Sequence, residues 1–298
     1  MTRNTVRKSY VDLADGQLHV REVAGLEAPG GEPAIVFLHQ TACSAQSYDP
    51  LLAELDLPNR LVAIDTPGFG GSFDPVGWPS LADYAAWILE GIDALGIGRF
   101  HVFGHHTGSS LAVYFAANHP ERVASIILAG AELMTPDERA HFEQTHGEPI
   151  GLKRDGSHLQ TNWDYAAGYN EGIDVEIIHD EVVAMLRAWK ARPQAYMAVA
   201  KSDTPALAAR VTAPVLLLTS PDDYFHAELD RAKAAFPGAS LAVTGGANFQ
   251  ATADPQGVAR AVEEFLASSR IKSGTTWIRN NPVPGGCAPA ARGRFQRG

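Results

Sequence analysis

A series of short, nearly uninterrupted apolar runs constrains this chain more than anything else in it. They fall at residues 34–38 (AIVFL), 60–64 (RLVAI), 101–103 (HVF), 124–128 (ASIIL), 214–218 (PVLLL) and 240–243 (SLAV). Runs this short and nearly all apolar read as strands buried on both faces. Between them lie stretches with helical spacing, over 81–95, 108–118 and 256–268. Strands alternating with helices predict a mostly parallel sheet covered on both sides. Residues 6–11 and 17–22 predict a hairpin around the turn Ala14-Asp15-Gly16.

The alternation fails between Glu132 and Thr212, where no buried strand is legible. Helical patches at 136–144 and 180–191 and a polar loop at 147–156 predict a helical lid over the carboxyl edge of the sheet. The expected division is a core over 1–132 and 212–268, a cap over 133–211, and a tail over 269–298. The tail carries Arg270, Lys272, Arg279, Arg292, Arg294 and Arg297 and no acidic residue, and its Pro and Gly content predicts a disordered basic segment.

Composition matters mainly for what it excludes. With 298 residues, 45% hydrophobic and 19% charged, disordered and collagen-like classes are out. A formal charge of −10 argues against nucleic acid as the partner. No apolar run is long enough to span a membrane, and the start of the chain shows no secretory leader. Two cysteines, Cys43 and Cys287, make no disulfide framework, so a reducing, cytoplasmic setting is expected. The expected partner is a small-molecule substrate, with no cofactor and no metal. A homodimer is left open.

Motifs at the strand ends sharpen this. Leu38-His39-Gln40-Thr41 follows the first buried run, and Asp65-Thr-Pro-Gly-Phe-Gly-Gly-Ser72 the second. Gly104-His105-His106-Thr107-Gly108 sits where a strand should turn into a helix, and Asn118-His-Pro-Glu-Arg-Val123 leads into the next run. Together they closely resemble the α/β-hydrolase fold, in its capped branch, over roughly residues 10–268. The implied fold is α/β, a mostly parallel central sheet with flanking helices and a helical cap. In such an elbow a tight turn pushes one side chain up into the pocket, and the flanking glycines let backbones pack around it.

The chain departs from the family twice. The elbow residue, usually Ser, is His106. The position of the catalytic His, in Gly245-Gly-Ala-Asn248, holds Asn248, which cannot take a proton at neutral pH. The ordinary serine–histidine pair is therefore missing. Asp223 stands at the family's acid position after the run 214–218. The alternative acid position falls on Gly130, with Glu132 two residues on. The resemblance implies an oxyanion hole from the backbone N–H groups of Thr41 and Thr107.

The expected activity is a cofactor-free hydrolase-like reaction on a small apolar carbonyl or ester compound. His106 would act as nucleophile or as general base, an imidazole being suited to proton transfer near neutrality. Asp223 or Glu132 would fix its tautomer, and Asn248 would orient it. A lyase or isomerase using the same base, and a binding protein that has lost the chemistry, are the competing readings. Gln40, His105, His158 and Trp163 are the candidate substrate contacts. His39 is expected to be structural, Cys43 a buried inert thiol, and His226 a surface residue. No His/Cys/Asp spacing reads as a metal site.

Overall fold

A computed structural model describes residues 4–23, 32–168 and 172–272. The strands are β1 (Val6–Leu13), β2 (Gly16–Val23), β3 (Ala34–Leu38), β4 (Leu61–Ile64), β5 (Phe100–His105), β6 (Val123–Ala129), β7 (Val215–Thr219) and β8 (Ser240–Val243). They form one 8-stranded sheet in the order β1-β2-β4-β3-β5-β6-β7-β8. β1 and β2 pair antiparallel, and β2 pairs antiparallel with β4. Every pairing from β4 to β8 is parallel.

The apolar runs of β3 to β7 are nearly continuous because each of these parallel strands serves two cores. Val36, Leu38, Val62, Ile64, Val102, Ile126, Leu128, Val215 and Leu217 face one core. Their alternating neighbours Ile35, Phe37, Leu61, Ala63, Phe103, Ile127, Ala129, Leu216 and Leu218 face the other. Each fully buried large side chain contributes about 1.5–3 kcal/mol. β8 is the edge strand, and its side chains stay largely exposed.

The helices are α1 (Asp49–Glu54), α2 (Leu81–Ala94), α3 (Thr107–Asn118), α4 (Pro136–His146), α5 (Ser157–Gly168), α6 (Val175–Arg187), α7 (Ala191–Ala200), α8 (Thr204–Ala208), α9 (Leu229–Ala235), α10 (Gln250–Ala253) and α11 (Pro255–Lys272). α2 and α3 pack on the first core, α1 and α11 on the second. α4 to α8 all lie between β6 and β7. The helical patch expected at 180–191 begins earlier and stops sooner. The Asp174 side chain caps α6 by accepting from the Glu176 N–H at 2.9 Å, and the chain breaks after Arg187 before α7 begins. α5 carries little amphipathic signal, and the sequence reading missed it. At the carboxyl end α11 continues to Lys272, so the boundary expected at 269 is too early. Residues 273–298, the rest of the expected basic tail, lie outside the described residues. Among the described residues no helix is long and apolar enough to cross a membrane.

Candidate active site

The loops at the carboxyl ends of β3 and β4 are held by their own motif residues. Both ring nitrogens of His39 are engaged: Nδ1 donates to the Gln40 carbonyl at 2.8 Å and Nε2 accepts from the Thr66 N–H at 3.0 Å. Burial lowers its pKa, in keeping with a neutral, structural imidazole. Asp65 accepts from the Ala45 N–H at 2.6 Å and the Gly71 N–H at 2.8 Å, and pairs with His19 Nδ1 at 2.7 Å. The aspartate of that motif is thus a loop brace.

At the elbow, β5 ends on His105 and α3 begins at Thr107. His106 between them has φ +47°, a left-handed conformation that costs a non-glycine residue about 1–3 kcal/mol. The turn closes because Gly104 and Gly108 carry no side chain. A Cβ on Gly104 would stand inside contact distance of the Gly108 carbonyl, and one on Gly108 inside that of Leu38. The strain raises the His106 ring into a cavity of about 150 Å³. An apolar cavity of about that size holds a benzene-sized molecule.

His106 Nε2 lies 2.8 Å from Asp223 Oδ2. Asp223 follows β7 and is buried, and it accepts further from the Phe225 N–H at 2.8 Å and from Gln250 Nε2 at 3.2 Å. Burial pushes its carboxyl up, but the charge and hydrogen bond of His106, with His105 and the Phe225 N–H, outweigh that and hold it below the ordinary value. An ionised carboxylate only accepts, so the shared proton sits on His106 Nε2. In the neutral ring Nδ1 then carries the lone pair. Phe225 closes one side of the ring, its centroid 4.9 Å away.

Gly130, at φ +57°, makes room for this pair. A Cβ there would lie 2.5 Å from His106 Nε2 and 2.8 Å from Asp223 Oδ1. The position that spacing offered for an acid thus has to stay empty. Glu132 does not partner His106, correcting that alternative. Its buried carboxylate accepts from Ser110 Oγ at 2.7 Å, Thr204 Oγ1 at 3.0 Å and the Met134 N–H at 2.8 Å, which ties β6's end to α3 and α8. Burial raises its pKa.

Asn248 lines the cavity, and its Oδ1 accepts from the Tyr224 N–H at 2.9 Å, bracing the loop after β7. Gln40, Thr41 and Thr107 also line it. The N–H groups of Thr41 and Thr107 donate to no other group among the described residues. His105 lies behind the wall, buried, its ring 4.4 Å from that of His106. Burial, the largest cause, lowers its pKa to about 3, so it is neutral. His158 and Trp163 are not among the lining residues, contrary to expectation: the His158 ring accepts from the Lys153 N–H at 3.2 Å, and Trp163 packs on the core. His226 sits against Thr219 at 2.9 Å.

The insertion supplies residues that the sequence reading did not single out: Tyr165, Glu181, Arg192 and Tyr196. Glu181 is in phase with Ile178, Val182 and Met185 on α6, and Arg192 with Ala195, Tyr196 and Val199 on α7. A charge in phase with an apolar stripe was the available signal. Cys43, buried, hydrogen-bonds to Glu181, and burial raises its thiol well above the usual range.

One group among the described residues brings possible metal ligands together. His105, His106 and Asp223 offer atoms within 4.8 Å of one another. The Asp223 oxygens are already taken by His106, Gln250 and the Phe225 N–H, so a proton does the bridging between histidine and carboxylate.

Residues 33–148 match the α/β-hydrolase fold family. That match covers less than half of the chain; the sheet order and the solved structures below show that the chain has the α/β-hydrolase fold. It is 31% identical over 134 residues to a 2-hydroxy-6-oxononadienedioate/2-hydroxy-6-oxononatrienedioate hydrolase of Paraburkholderia phymatum, covering 43% of this chain and 46% of that one. The chain thus matches about half the length of that relative. Among solved structures it superposes on a hydrolase from Pseudomonas aeruginosa PA01 with TM-score 0.72 and 21% identity, over 87% of this chain and 98% of that one. It also superposes on the enol-lactonase from Burkholderia xenovorans LB400 with TM-score 0.70 and 20% identity, over 87% and 100%.

Proposed function

We propose that this chain is a cofactor-independent hydrolase-like enzyme acting on a small carbonyl or ester compound, with His106 as its general base. The observation that carries the reading is the 2.8 Å pair between His106 Nε2 and Asp223 Oδ2, raised into the cavity on a strained turn. In a serine hydrolase a histidine bridges acid and nucleophile. Here the elbow residue is the histidine, and it reaches the acid directly.

With Nε2 protonated against Asp223, Nδ1 is the basic atom. It takes a proton from water as the water oxygen bonds to the substrate carbonyl carbon. The carbonyl electron pair moves to oxygen, which the Thr41 and Thr107 N–H groups stabilise as an oxyanion at the start of α3. Collapse expels the leaving group, which takes the proton from the imidazolium. Asp223 stabilises the imidazolium between the two transfers. The relatives named as hydrolases and the enol-lactonase likeness support a hydrolytic reaction on a small oxygenated compound.

The test is turnover of a panel of small acyl esters, enol esters and lactones by wild type and His106→Ala. Removing a positioned base should lower the rate by a factor of about 10² or more. Equal turnover by the two proteins would make His106 a bystander.

A further inference from the structure

Arg192 is a buried charge without a counter-charge in contact. Its residue is 8% exposed, no carboxylate of the described residues lies within ion-pair distance of it, and its Nη1 has no hydrogen-bond partner. The guanidinium lies 4.2 Å from the centroid of Tyr165 and 5.6 Å from that of Tyr196, so two aromatic rings fix its plane. Tyr196 is fixed in turn, its Oη donating to the Thr41 carbonyl at 3.3 Å. Glu181 lines the same cavity, and its Oε2 is also buried without a partner. Arg192 and Glu181 thus share a cavity without closing on one another. The wall around them is apolar, including Met134, Phe142, Met185 and Val199.

A desolvated guanidinium with an idle N–H is costly to keep unless something answers it. The planar group that matches it best is a carboxylate. We propose that the cavity takes a small organic acid, with Arg192 holding the carboxylate and the remaining carbon skeleton lying against the apolar wall. This deepens the proposed function by naming the substrate class, and it rests on that reading for the chemistry but not for the binding. Glu181 narrows the class. Burial raises its carboxyl above the ordinary value, and with its Oε2 unpartnered in the same cavity a ligand bringing a single negative charge is the easier to accommodate. A doubly charged phosphate would instead crowd a second negative charge against it. Arg192 would then be a specificity residue at one end of the ligand, while His106 works on a carbonyl elsewhere in it.

The test is calorimetric binding to the full chain of acetate, benzoate and phenylacetate, each beside its neutral amide, with phenyl phosphate as the dianionic control. At least one acid should bind tenfold or more tighter than its amide, about what a charged hydrogen-bonded contact is worth. Phenyl phosphate should bind more weakly than that acid. Arg192→Gln should bring the acid down to the level of the amide while leaving the amide's affinity unchanged, which also reports that the cavity is still formed. His106→Ala should keep the preference for the acid. Acids that bind no better than amides, tighter phenyl phosphate, or a preference that survives Arg192→Gln would each overturn the proposal. Loss of the preference in His106→Ala would put the anion on the histidine and overturn it too. Absence of turnover with the preference intact would overturn the proposed function alone.

Discussion

His106 and Asp223 depend on an atom that is not there. The Cβ missing from Gly130 leaves the space in which the imidazole and the carboxylate meet, and the backbone at +57° suits glycine alone. Gly130→Ala should therefore push the ring off its carboxylate. A misplaced catalytic group costs about 10² in rate. The left-handed backbone should cost alanine a further 1–2 kcal/mol or so of stability. Turnover and melting temperature measured on one preparation separate the two effects. Full activity in a folded Gly130→Ala protein would mean that the placement of the ring is not what matters. The same logic explains how a sequence spacing could offer Gly130 as an acid position. The strand end is in the right place, but the acid reaches the site from the neighbouring strand.

Local signals set most helix starts. α2 begins with a full capping box: Ser80 Oγ accepts from the Asp83 N–H at 3.2 Å, and Asp83 Oδ2 accepts from the Ser80 N–H at 2.8 Å. The Ser80 hydroxyl also donates to that carboxylate at 2.7 Å, and these bonds hold the Asp83 carboxyl below its usual pKa. Ser80→Ala should cost about 1 kcal/mol, or a fall of roughly 2–4 °C in Tm for a chain of this size. An unchanged Tm would mean that α2 is held by its packing on the sheet alone. α3 is the opposite case. Its start is set by the elbow, and His106 makes no side-chain cap bond. Thr107, the first residue of that helix, lines the cavity.

Across the whole molecule the buried carboxyls fall into groups of opposite sign. Asp65 and Asp223 are buried, which raises them, but their partners hold both below the ordinary value. They add stability above about pH 3.9, the unfolded value, and it is lost as the pH falls through their folded values. Glu132, Glu181 and Glu228 are raised, burial being the largest cause in each. Glu228 reaches about 7, against the Leu133 N–H and Arg231 that lower it. A carboxyl raised on folding binds more protons folded than unfolded. Stability therefore falls as the pH climbs from the ordinary glutamate value of about 4.3 through about 7. Glu228→Gln should flatten that decline and melt higher than wild type at pH 8. Melting scans from pH 5 to pH 8 decide it, and a variant tracking wild type throughout would show that Glu228 does not carry the slope.

The sequence by itself determined the sheet. The nearly continuous apolar runs of β3 to β7 are satisfied by strands with a core on each face, while the similar run 240–243 became the exposed edge strand β8; the motifs at the strand ends fixed the loops and the elbow, because turns and caps are local chemistry. It also put His106 at the turn from β5 into α3 and Asn248 in the loop after β8, since those are residue identities. Only the tertiary structure decided which carboxylate His106 meets. That choice depends on where the ends of β6 and β7 lie side by side, and chain separation says nothing of it: Asp223 is 117 residues away and in contact, while the nearer Glu132 is turned toward Ser110 and Thr204. It decided as well that His158 and Trp163 stand off the cavity while Tyr165, on the same helix as both, lines it. A weakly amphipathic helix does not declare which face it will bury. Arg192 and Glu181 were legible as charges on apolar stripes, but the unpartnered Nη1 of one and Oε2 of the other were not, because an unanswered hydrogen bond is a property of the packed interior.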